Sequence, residues 1–508
     1  MTQKRGALAD ALERIRAAAS DDLILSSDMS RTGRERAQAA GWLHPIIKGW
    51  YIVGSEASAQ PASTGLWYSH FWQFVRRYLD ERYGAGYCLN AEASLDLHVG
   101  TTTVPRQLVV MTREGGANTL QLPHDTSLQT YPDPANLPEQ TATHNGIRVM
   151  PIHIALCRVT PQYFRSNPIN AEIALNMVSE TELSRALIAG RNTRAAGRLM
   201  GAYQFLGNEA RANRIKNDMQ VSVSRISPVN PFESERPLMG SLPRLISPQV
   251  GRLTALWKKM RPVVVELFPA PEKKIDESAY LAGMEDIYQH DAYNSLSIEG
   301  YRVTPKIIER VRRGDWSPDN ERDRDHVAAM AAKGYFEAFK LVKQAVREVL
   351  IGTEPAATSQ KYLQDWYRTL FGASVQAGIL DPVDLAGYRN RPVYIRGSHH
   401  VPPAHETLMD CMETLFGLLE QEESAAVRAV LGHFIFVFIH PYPDGNGRVG
   451  RFLMNLMLAS CGYPWTIIRL SQRDTYLTAL EQASVDQEIE PFMRFIAQEM
   501  RIDWSIRK

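Results

Sequence analysis

The sequence has little of what marks secreted or membrane-spanning proteins. It contains 4 cysteines in 508 residues, and because none has C-x-x-C spacing, neither a zinc site nor a disulfide framework is indicated. No run approaches the roughly 20 apolar residues that span a bilayer, and the polar N-terminus is unlike a secretory signal. These absences predict a protein of the reducing cytoplasm with no membrane partner.

The chain also lacks a charge excess of either sign. Lysine plus arginine number 57 against 56 for aspartate plus glutamate, so no overall field recruits nucleic acid or an anionic membrane. With 508 residues the chain is too long for one core, and a prior of about 150 residues per domain suggests three units. We therefore expect a multidomain protein in which any nucleic-acid binding arises from a local patch.

The most informative stretch runs from His440 to Arg451 and reads H-P-Y-P-D-G-N-G-R-V-G-R. The residues before it, Ala425 to Ile439, have the length and apolarity of a buried helix, and helical spacing resumes from Arg451 to Ala459. Asp444 to Gly447 is therefore predicted to be a loop between two helices. Because the first N–H groups of a helix lack internal partners and carry partial positive charge, this loop is predicted to hold a polyphosphate.

The side chains around the loop suit a nucleotide with a bound metal. Asp444 offers the hard carboxylate oxygen that Mg²⁺ prefers, and Asn446 can donate an amide to a phosphoryl oxygen. Arg448 and Arg451 offer planar forks for the outer phosphates. His440, with an ordinary pKa near neutrality (about 6.5), is the natural acceptor for a proton from an attacking hydroxyl. The alternative, a plain turn with a core histidine and solvated arginines, is disfavoured by the fixed register of these side chains.

These residues resemble the signature of the Fic family, H-x-F-x-D/E-G-N-G-R-x-x-R. One position departs, because Tyr442 stands where the family usually has Phe, but an aromatic ring is retained. The resemblance implies transfer of AMP from ATP to a hydroxyl side chain of a target protein, with Mg²⁺ and release of pyrophosphate. By position it implies these roles: His440 as base, Asp444 as magnesium ligand, Gly445 and Gly447 as anion-hole amides, Asn446 as a contact to the α-phosphate, and Arg448 and Arg451 as binders of the β- and γ-phosphates.

The resemblance extends to residues on either side of the signature. Residues 391–403 look like the family's flap, a short β-hairpin that pairs with the target segment by strand addition. Downstream, Arg473, Tyr476 and Ser484 fall where the family often places residues near the adenine, although some members have Asn at the position of Ser484. The target-binding residues that the flap implies are Val393, Tyr394, Ile395 and Arg396.

A second motif lies N-terminal to the signature. Residues 295–300, S-L-S-I-E-G, match the family's inhibitory-helix pattern S/T-x-x-x-E-G/N. Ser295 and Glu299 share one helical face, and Gly300 is placed to end a helix expected around 288–300. In the family this glutamate pairs with the second signature arginine, here Arg451. Because carboxylate and phosphate compete for the same guanidinium donors, the resemblance implies a self-inhibited enzyme. Read alone, the pattern fits an ordinary surface helix.

The rest of the chain divides by composition and pattern. Residues 1–58 suggest short helices followed by an extended pair, an order typical of a winged helix, with basic residues from Arg31 to Arg36 near the recognition position. Residues 59–221 mix strand-like and helical stretches and are predicted to be an α/β (or α+β) accessory domain. Proline-rich residues 222–250 are predicted to be an extended linker. The strong helical pattern after them places the Fic domain at 251–504.

The expected fold is therefore multidomain and mainly α, with an all-α Fic core and a short β-hairpin flap. The N-terminal order loosely resembles that of abortive-infection-type antitoxins, in which such a module contacts DNA or protein. The leading functional hypothesis is a self-inhibited protein adenylyltransferase with ATP, Mg²⁺ and a hydroxyl-bearing protein as partners. Three alternatives stay open: removal of AMP, transfer of another phosphate-containing group, and a regulator that binds duplex DNA and senses nucleotide. A homo-oligomer is compatible with each of these functions.

Overall fold

The computed structural model describes residues 2–54, 64–220, 226–242, 247–271, 276–316 and 327–504. The chain forms two compact units, and the protein is mainly helical with small sheets. The first unit contains Met1–Pro248 and also Val393–Val401. The second contains Gln249–Pro392 and Pro402–Lys508.

The first unit begins with two helices and a small sheet. The elements are α1 (Thr2–Ala18), β1 (Leu23–Leu25), α2 (Arg31–Ala39), β2 (Leu43–Ile47) and β3 (Trp50–Val53). The strands are antiparallel in the order β1-β3-β2. Gly49 has a φ of 90° in the tight connection between β2 and β3, a conformation that glycine adopts without a Cβ penalty. Ser30 caps α2, because its hydroxyl accepts the Gly33 N–H at 3.1 Å.

A second, mixed sheet follows in the same unit. Its strands β4 (Tyr87–Leu89), β5 (Gln107–Thr112), β6 (Asn118–Leu122) and β7 (Thr126–Pro132) accompany α3 (Thr64–Tyr83) and α4 (Ala91–His98). The order is β4-β5-β7-β6, with β5 parallel to β7 and the other pairs antiparallel. Helix α3 buries Trp67, Phe71 and Phe74 at helical spacing in this core.

Helices complete the N-terminal part of the first unit. After a hairpin of β8 (Ala142–His144) and β9 (Ile147–Val149) come α5 (Ile152–Arg158), α6 (Pro161–Ser166), α7 (Pro168–Met177), α8 (Glu180–Gly190), α9 (Thr193–Phe205) and α10 (Glu209–Gln220). The mixture of strands and helices is the one that the sequence pattern predicts for this stretch. No helix among the described residues of the chain is both long and apolar enough to cross a membrane.

The described part of the proline-rich stretch packs against the rest of the first unit. Residues 226–242 carry neither helix nor strand. Glu172, which is fully buried on α7, accepts the backbone N–H groups of Leu238 and Met239, each at 2.8 Å. The Val229 N–H also donates to the Gly197 carbonyl at 2.9 Å. These contacts hold the described part of the stretch against helices of the first unit. Residues 222–225 and 243–246 of the predicted linker lie outside the described residues.

The predicted flap does not form a β-hairpin. Residues 393–395 are extended without a ladder, and a turn follows in which the Ser398 N–H donates to the Ile395 carbonyl at 3.1 Å. The strand-like pairing of this segment is instead with the first unit. Thr103 and His400 form an antiparallel bridge, and the Val104 N–H donates to the His399 carbonyl at 3.3 Å. The expectation of a hairpin is therefore wrong, because the segment pairs with a stretch distant in sequence.

The second unit is built from helices. They are α11 (Pro248–Leu267), α12 (Glu277–Ile298), α13 (Pro305–Arg312), α14 (Val327–Leu350), α15 (Pro355–Gln376), α16 (Leu408–Gln421), α17 (Ala425–Ile439), α18 (Asn446–Ala459), α19 (Arg473–Glu481) and α20 (Glu490–Glu499). Helix α17 is buried at every position except Val437. It is the central helix of this unit, and the signature loop follows it directly.

Candidate active site

Two helix ends position the signature loop. Ser424 caps the start of α17 with a hydroxyl that accepts the Val427 N–H at 3.4 Å, and His440 ends the helix in the left-handed region with a φ of 53°. A non-glycine residue in that conformation is uncommon and turns the chain sharply. Gly445 starts α18 with a φ of 79°. A loop between two helices is present as predicted, but it ends at Gly445, because Asn446 and Gly447 are already the first residues of α18.

His440 is held as a neutral imidazole. Its Nδ1 lies 3.3 Å from the Val437 carbonyl oxygen, so Nδ1 carries the proton and donates it to that carbonyl. Burial lowers the pKa of His440 to about 4. The lone pair on Nε2 is therefore free to accept a proton at neutral pH, which is what a general base requires.

Arg389, which no sequence motif singles out, fixes the turn that carries His440. Its Nε donates to the His440 carbonyl at 2.9 Å, and its own backbone N–H donates to the Pro441 carbonyl at 2.9 Å. Its Nη1 and Nη2 donate to the carbonyls of Arg391 and Pro403. A buried arginine that donates to four backbone carbonyls holds the loop in one conformation. Its partners lie far apart in sequence, so no local motif could have revealed it.

The side chains of Tyr442 and Asn446 stabilise the loop through stacking and internal hydrogen bonds. The Tyr442 ring stacks on Tyr367 at 3.8 Å between centroids, and its hydroxyl donates to the Gln364 Oε1 at 3.0 Å. The Asn446 amide accepts the Tyr442 N–H at 2.9 Å and donates to the Tyr442 carbonyl at 2.8 Å. The aromatic ring thus keeps a packing role although tyrosine replaces phenylalanine. The Asn446 side chain holds the loop shape, and in this arrangement both its polar atoms are engaged.

Arg448 is a fully buried cation aimed at the loop. Its guanidinium lies over the rings of Tyr301 and Phe371, 5.1 and 4.9 Å from their centroids. Its Nη2 is 3.4 Å from the Asp444 Oδ2, and its Nε has no acceptor in the described part of the chain. A buried charged donor without an acceptor is costly. The arrangement therefore favours the binding of an anion beside Arg448.

Arg451 meets the residues of the second motif. Its Nη2 donates to the Glu299 Oε1 at 2.7 Å, and its Nε donates to the Ser295 Oγ at 3.0 Å. Burial alone would raise the pKa of Glu299, but the charges of Arg451 and Arg448 hold that pKa below its ordinary value. A Cβ on Gly447 would overlap the Glu299 Oε1. The carboxylate thus sits directly against the loop backbone, in the position of an anion.

The helix that carries the second motif is longer than predicted and has its own anchors. Ser295 is buried in α12, which ends at Ile298, and Gly300 follows with a φ of 90°. The Arg473 Nε donates to the Ile298 carbonyl at 2.9 Å, and the Leu470 N–H donates to the Asn294 Oδ1 at 2.8 Å. The last turn of α12 is therefore tied to the segment that begins α19. The contact of Arg473 with adenine, which the resemblance implies, stays a prediction.

Of the remaining predicted residues, Tyr476 lies beside Arg451: burial raises the pKa of its phenol to about 12, and the charge of Arg451 opposes that shift. Tyr476 lies in the core with 2% exposure, and its hydroxyl is 2.7 Å from the His433 Nε2. Ser484 lies half-buried in a short π-helical turn after α19. Their contacts with adenine stay predictions. Val393, Tyr394, Ile395 and Arg396 belong to the first unit, and their role in target binding also stays a prediction.

Asp444 presents an exposed carboxylate beside the signature loop. Its side chain is 60% exposed; Oδ1 accepts the Gly445 N–H at 2.6 Å, while Oδ2 faces Arg448 at 3.4 Å. The described residues contain no cluster of three or more side chains able to cage a metal. A single accessible carboxylate next to an anion site fits Mg²⁺, which keeps several waters and bridges substrate phosphates.

Comparisons with known proteins agree with this geometry. Proteins named "Protein adenylyltransferase Fic" from Drosophila virilis and Drosophila yakuba are 30% identical over 224 residues and 40% identical over 220 residues. These alignments cover 43% and 42% of this chain, and 42% and 41% of the relatives. The chain thus spans about two fifths of the length of the curated relatives that it matches.

A solved structure of a Fic domain containing signaling protein from Bacteroides thetaiotaomicron aligns with a TM-score of 0.35. It is 20% identical and covers 50% of this chain and 92% of that chain. The match to the Fic/DOC family covers residues 357–458, from α15 through the signature loop to the end of α18. Residues 357–458 of this chain are therefore similar to the Fic/DOC family.

Proposed function

We propose that this protein is an adenylyltransferase that moves AMP from ATP to a hydroxyl group of a protein and that Glu299 inhibits it. One observation carries the proposal: the Glu299 carboxylate lies against Gly447 and takes the Nη2 of Arg451 at 2.7 Å. A carboxylate anion therefore already occupies the space between the backbone at Gly447 and the Arg451 guanidinium. The names of the relatives support ATP as the donor of AMP.

The binding step follows from unpaired donors. The Nε of Arg448 and the Nη1 of Arg451 are buried and have no acceptor in the described residues. The amides at the N-terminus of α18 add partial positive charge, which the Glu299 carboxylate faces in this structure. We assign the outer phosphates of ATP to Arg448 and Arg451, and the inner ones to the amides of Gly445 and Gly447. Asn446 contributes by shaping the loop.

The chemical step needs a base and charge neutralisation. His440 Nε2 accepts the proton of the incoming hydroxyl as the hydroxyl oxygen attacks the α-phosphorus. The bond between the α-phosphorus and the oxygen that bridges to the β-phosphate breaks, and pyrophosphate leaves. Mg²⁺ bound through Asp444 would neutralise phosphate charge. Arg389 keeps the His440 turn in place, and the loop amides offset the charge that develops on the α-phosphate.

Inhibition follows from competition for one guanidinium. The Nη2 of Arg451 carries two hydrogens, and the Ser295 carbonyl takes one of them at 3.0 Å. The Glu299 carboxylate takes the other, so that carboxylate and a phosphate oxygen exclude each other there. Glu299 is ionised at neutral pH because the two arginines lower its pKa. At neutral pH the Glu299 carboxylate therefore blocks this donor of Arg451, and removal of the carboxylate should make the donor available to a phosphate.

The test compares three purified proteins with ATP labelled in either the α- or the γ-phosphate. Glu299→Gly should acquire label from α-labelled ATP, with an added AMP in its intact mass, while the native chain acquires little. Glu299→Gly/His440→Ala should acquire none. Label from the γ-phosphate would show phosphate transfer instead, and no label with Glu299→Gly would refute the adenylyltransferase proposal. Loss of label from a previously modified protein on adding native chain would identify AMP removal, in which Glu299 would orient water.

The N-terminal part supports a further proposal about architecture. The order α1, β1, α2, β2, β3 supports a winged-helix-like module, with its boundary proposed at residue 58, before the accessory domain. Arg31, the first basic residue of the α2 face, already pairs with Glu35 at 2.8 Å. This module is proposed to contact duplex DNA or protein. Binding of duplex DNA that weakens steeply with salt would identify DNA as its partner. The four free thiols support a reducing, cytoplasmic setting.

A further inference from the structure

The residue after Gly300 contacts the first arginine of the signature. Gly300 has a φ of 90°, and the Tyr301 N–H donates to the Leu296 carbonyl at 3.1 Å, as in a Schellman turn that ends a helix. The turn places the Tyr301 ring against the Arg448 guanidinium, with 5.1 Å between the Arg448 Cζ and the ring centroid. Glu299 and Tyr301, on either side of Gly300, therefore contact one signature arginine each.

A second aromatic ring, Phe371 of α15, also lies over the Arg448 guanidinium, 4.9 Å from the Cζ to the ring centroid. The Arg448 side chain is 1% exposed, so water screens these contacts little. Burial raises the pKa of the Tyr301 phenol although the charge of Arg448 opposes the shift, so the phenol is neutral and its ring face attracts the cation. Two rings from different elements together restrict how the guanidinium plane can turn.

A ring that lies over a guanidinium does not compete with a phosphate for it. The ring face attracts the cation from outside the guanidinium plane, whereas the N–H groups point within that plane. The Tyr301 hydroxyl is 3.5 Å from the Arg448 Nη2, at the limit of a hydrogen bond, and the Arg448 Nε has no acceptor in the described residues. Glu299, by contrast, takes an in-plane donor of Arg451 at 2.7 Å. The contact with Tyr301 therefore leaves Arg448 able to bind an anion, while Glu299 blocks Arg451.

The position of Tyr301 does not depend on the Glu299 side chain. Backbone hydrogen bonds form the turn, since the Gly300 N–H donates to the Ser297 carbonyl at 3.0 Å beside the bond made by the Tyr301 N–H. The helix end is also tied to the start of α19 through a backbone carbonyl. Loss of the Glu299 carboxylate would leave each of these bonds in place. The Tyr301 ring would then still lie over Arg448 when the second signature arginine becomes free.

We propose that Tyr301 is a positioning residue for Arg448: its ring orients the guanidinium so that the in-plane donors face the outer phosphates of ATP. This inference rests on the proposed function, because it assigns Arg448 to those phosphates. The segment that blocks one arginine thus orients the other, and ATP should bind most tightly when the Glu299 carboxylate is displaced while Tyr301 stays in place. AMP, which lacks the outer phosphates, should bind independently of Tyr301.

The experiment measures dissociation constants for ATP and AMP, each with Mg²⁺, using full-length Glu299→Ala as parent. Alanine removes the carboxylate without the backbone freedom that a second glycine next to Gly300 would add. Tyr301→Leu keeps an apolar side chain and removes the ring. We expect it to raise the Kd for ATP about tenfold, the effect of one lost buried cation–π contact, and to leave the Kd for AMP unchanged. Tyr301→Phe keeps the ring and should bind both nucleotides as the parent does.

Two further variants separate orientation of Arg448 from general damage to the fold. Phe371→Leu removes the other ring and should also weaken the binding of ATP but not of AMP, so it decides the matter if Tyr301→Leu does not fold. Phe336→Leu is the matched control, because it removes a half-buried ring of α14 that lies over Lys340, 4.2 Å from its Nζ to the ring centroid. It should leave the ratio of the two dissociation constants unchanged.

The proposal is overturned if Tyr301→Leu keeps the affinity ratio of the parent, or if Tyr301→Phe or Phe336→Leu shifts that ratio as much. It is also overturned if Tyr301→Leu, with Glu299 intact, modifies itself as strongly as Glu299→Ala, because the ring would then block Arg448. Nucleotide binding is measured apart from AMP transfer. A parent that binds ATP with this dependence but transfers nothing would refute the adenylyltransferase function and leave the positioning role intact, and a parent that binds no ATP would refute both.

Discussion

At the scale of single residues, burial keeps the His440 imidazole in the neutral form that the proposed base requires. An exposed histidine would be partly protonated near neutrality, whereas burial lowers the pKa of His440 to about 4 and its Nδ1 donates to the Val437 carbonyl. The residue is therefore neutral throughout the physiological range. The sequence predicts its role from the motif, but the tautomer follows only from the helix end that the structure shows.

This state of His440 predicts the pH dependence of turnover. With saturating ATP, the kcat of Glu299→Gly should stay flat from pH 8 down to about 6 and fall only on approach to pH 4, as the imidazole gains its proton. Initial rates of label transfer across that range provide the measurement. A kcat that halves near pH 6.5 would mean that His440 is solvated during the reaction and has its ordinary pKa.

Gly447 gives a second residue-scale prediction. A methyl group there would overlap the Glu299 Oε1 and also crowd the amide cradle. Gly447→Ala should therefore separate Glu299 from Arg451, lower the stability to urea unfolding by about 1–3 kcal/mol, and still not raise AMP transfer. Gly283→Ala is the control, because a Cβ at that position of α12 meets nothing within 4 Å. Activity of Gly447→Ala equal to that of Glu299→Gly would contradict the assignment of the loop as the phosphate site.

At the scale of elements, the inhibitory helix depends on its C-terminal anchor. The Arg473 Nε holds the Ile298 carbonyl at 2.9 Å, one residue before Glu299. Arg473→Ala should loosen this end and raise self-modification of the native chain up to about fivefold, the equivalent of one hydrogen bond. That increase should stay below the effect of Glu299→Gly. Counting incorporated AMP by intact mass measures it.

The control for this variant is Arg494→Ala, which removes an exposed arginine paired only within its own helix, with Glu490 at 2.6 Å. It should leave self-modification unchanged. A decrease in modification with Arg473→Ala would instead favour the contact with adenine that the family resemblance implies for this position.

Sequence predicts some of these elements well because their information is local. The apolar run of α17, the glycine loop and the four-residue spacing of Ser295 and Glu299 are all visible in short windows, and the pairing of Glu299 with Arg451 is confirmed. The flap shows the limit. Its alternating residues predict a strand, but residues 393–395 form none, because strand partners are set by tertiary context; His400 of the segment instead bridges to Thr103. Arg389 was not predicted for the same reason, because its partners are distant in sequence.

At the scale of the whole molecule, the division into two units separates residues 393–401 from both of their chain neighbours. A fragment of residues 249–508 keeps α11 to α20 and should bind ATP once Glu299 is replaced by Gly. Within it, residues 393–401 lack the stretch around Thr103 that they pair with in the full chain.

This difference is measurable by hydrogen exchange. The amide of Val401 should exchange at least tenfold faster in the fragment than in the full chain, because the Thr102 carbonyl that accepts its N–H is gone. Amides in α17 should exchange equally in both proteins and serve as the internal reference. Equal protection of Val401 would mean that this segment is ordered by its own flanks, and faster exchange in α17 would mean that the fragment boundary damages the fold.

The assignment of residues 393–401 also bears on how such a protein can be taken apart or recombined. No single cut in the chain separates the two units, because any fragment that ends or begins between them leaves this short segment with the wrong half. If residues 249–508 were fused to another N-terminal module, residues 393–401 would lose the backbone partners that they have in the full chain. A chimera would succeed only if its new N-terminal half offered a matching backbone edge.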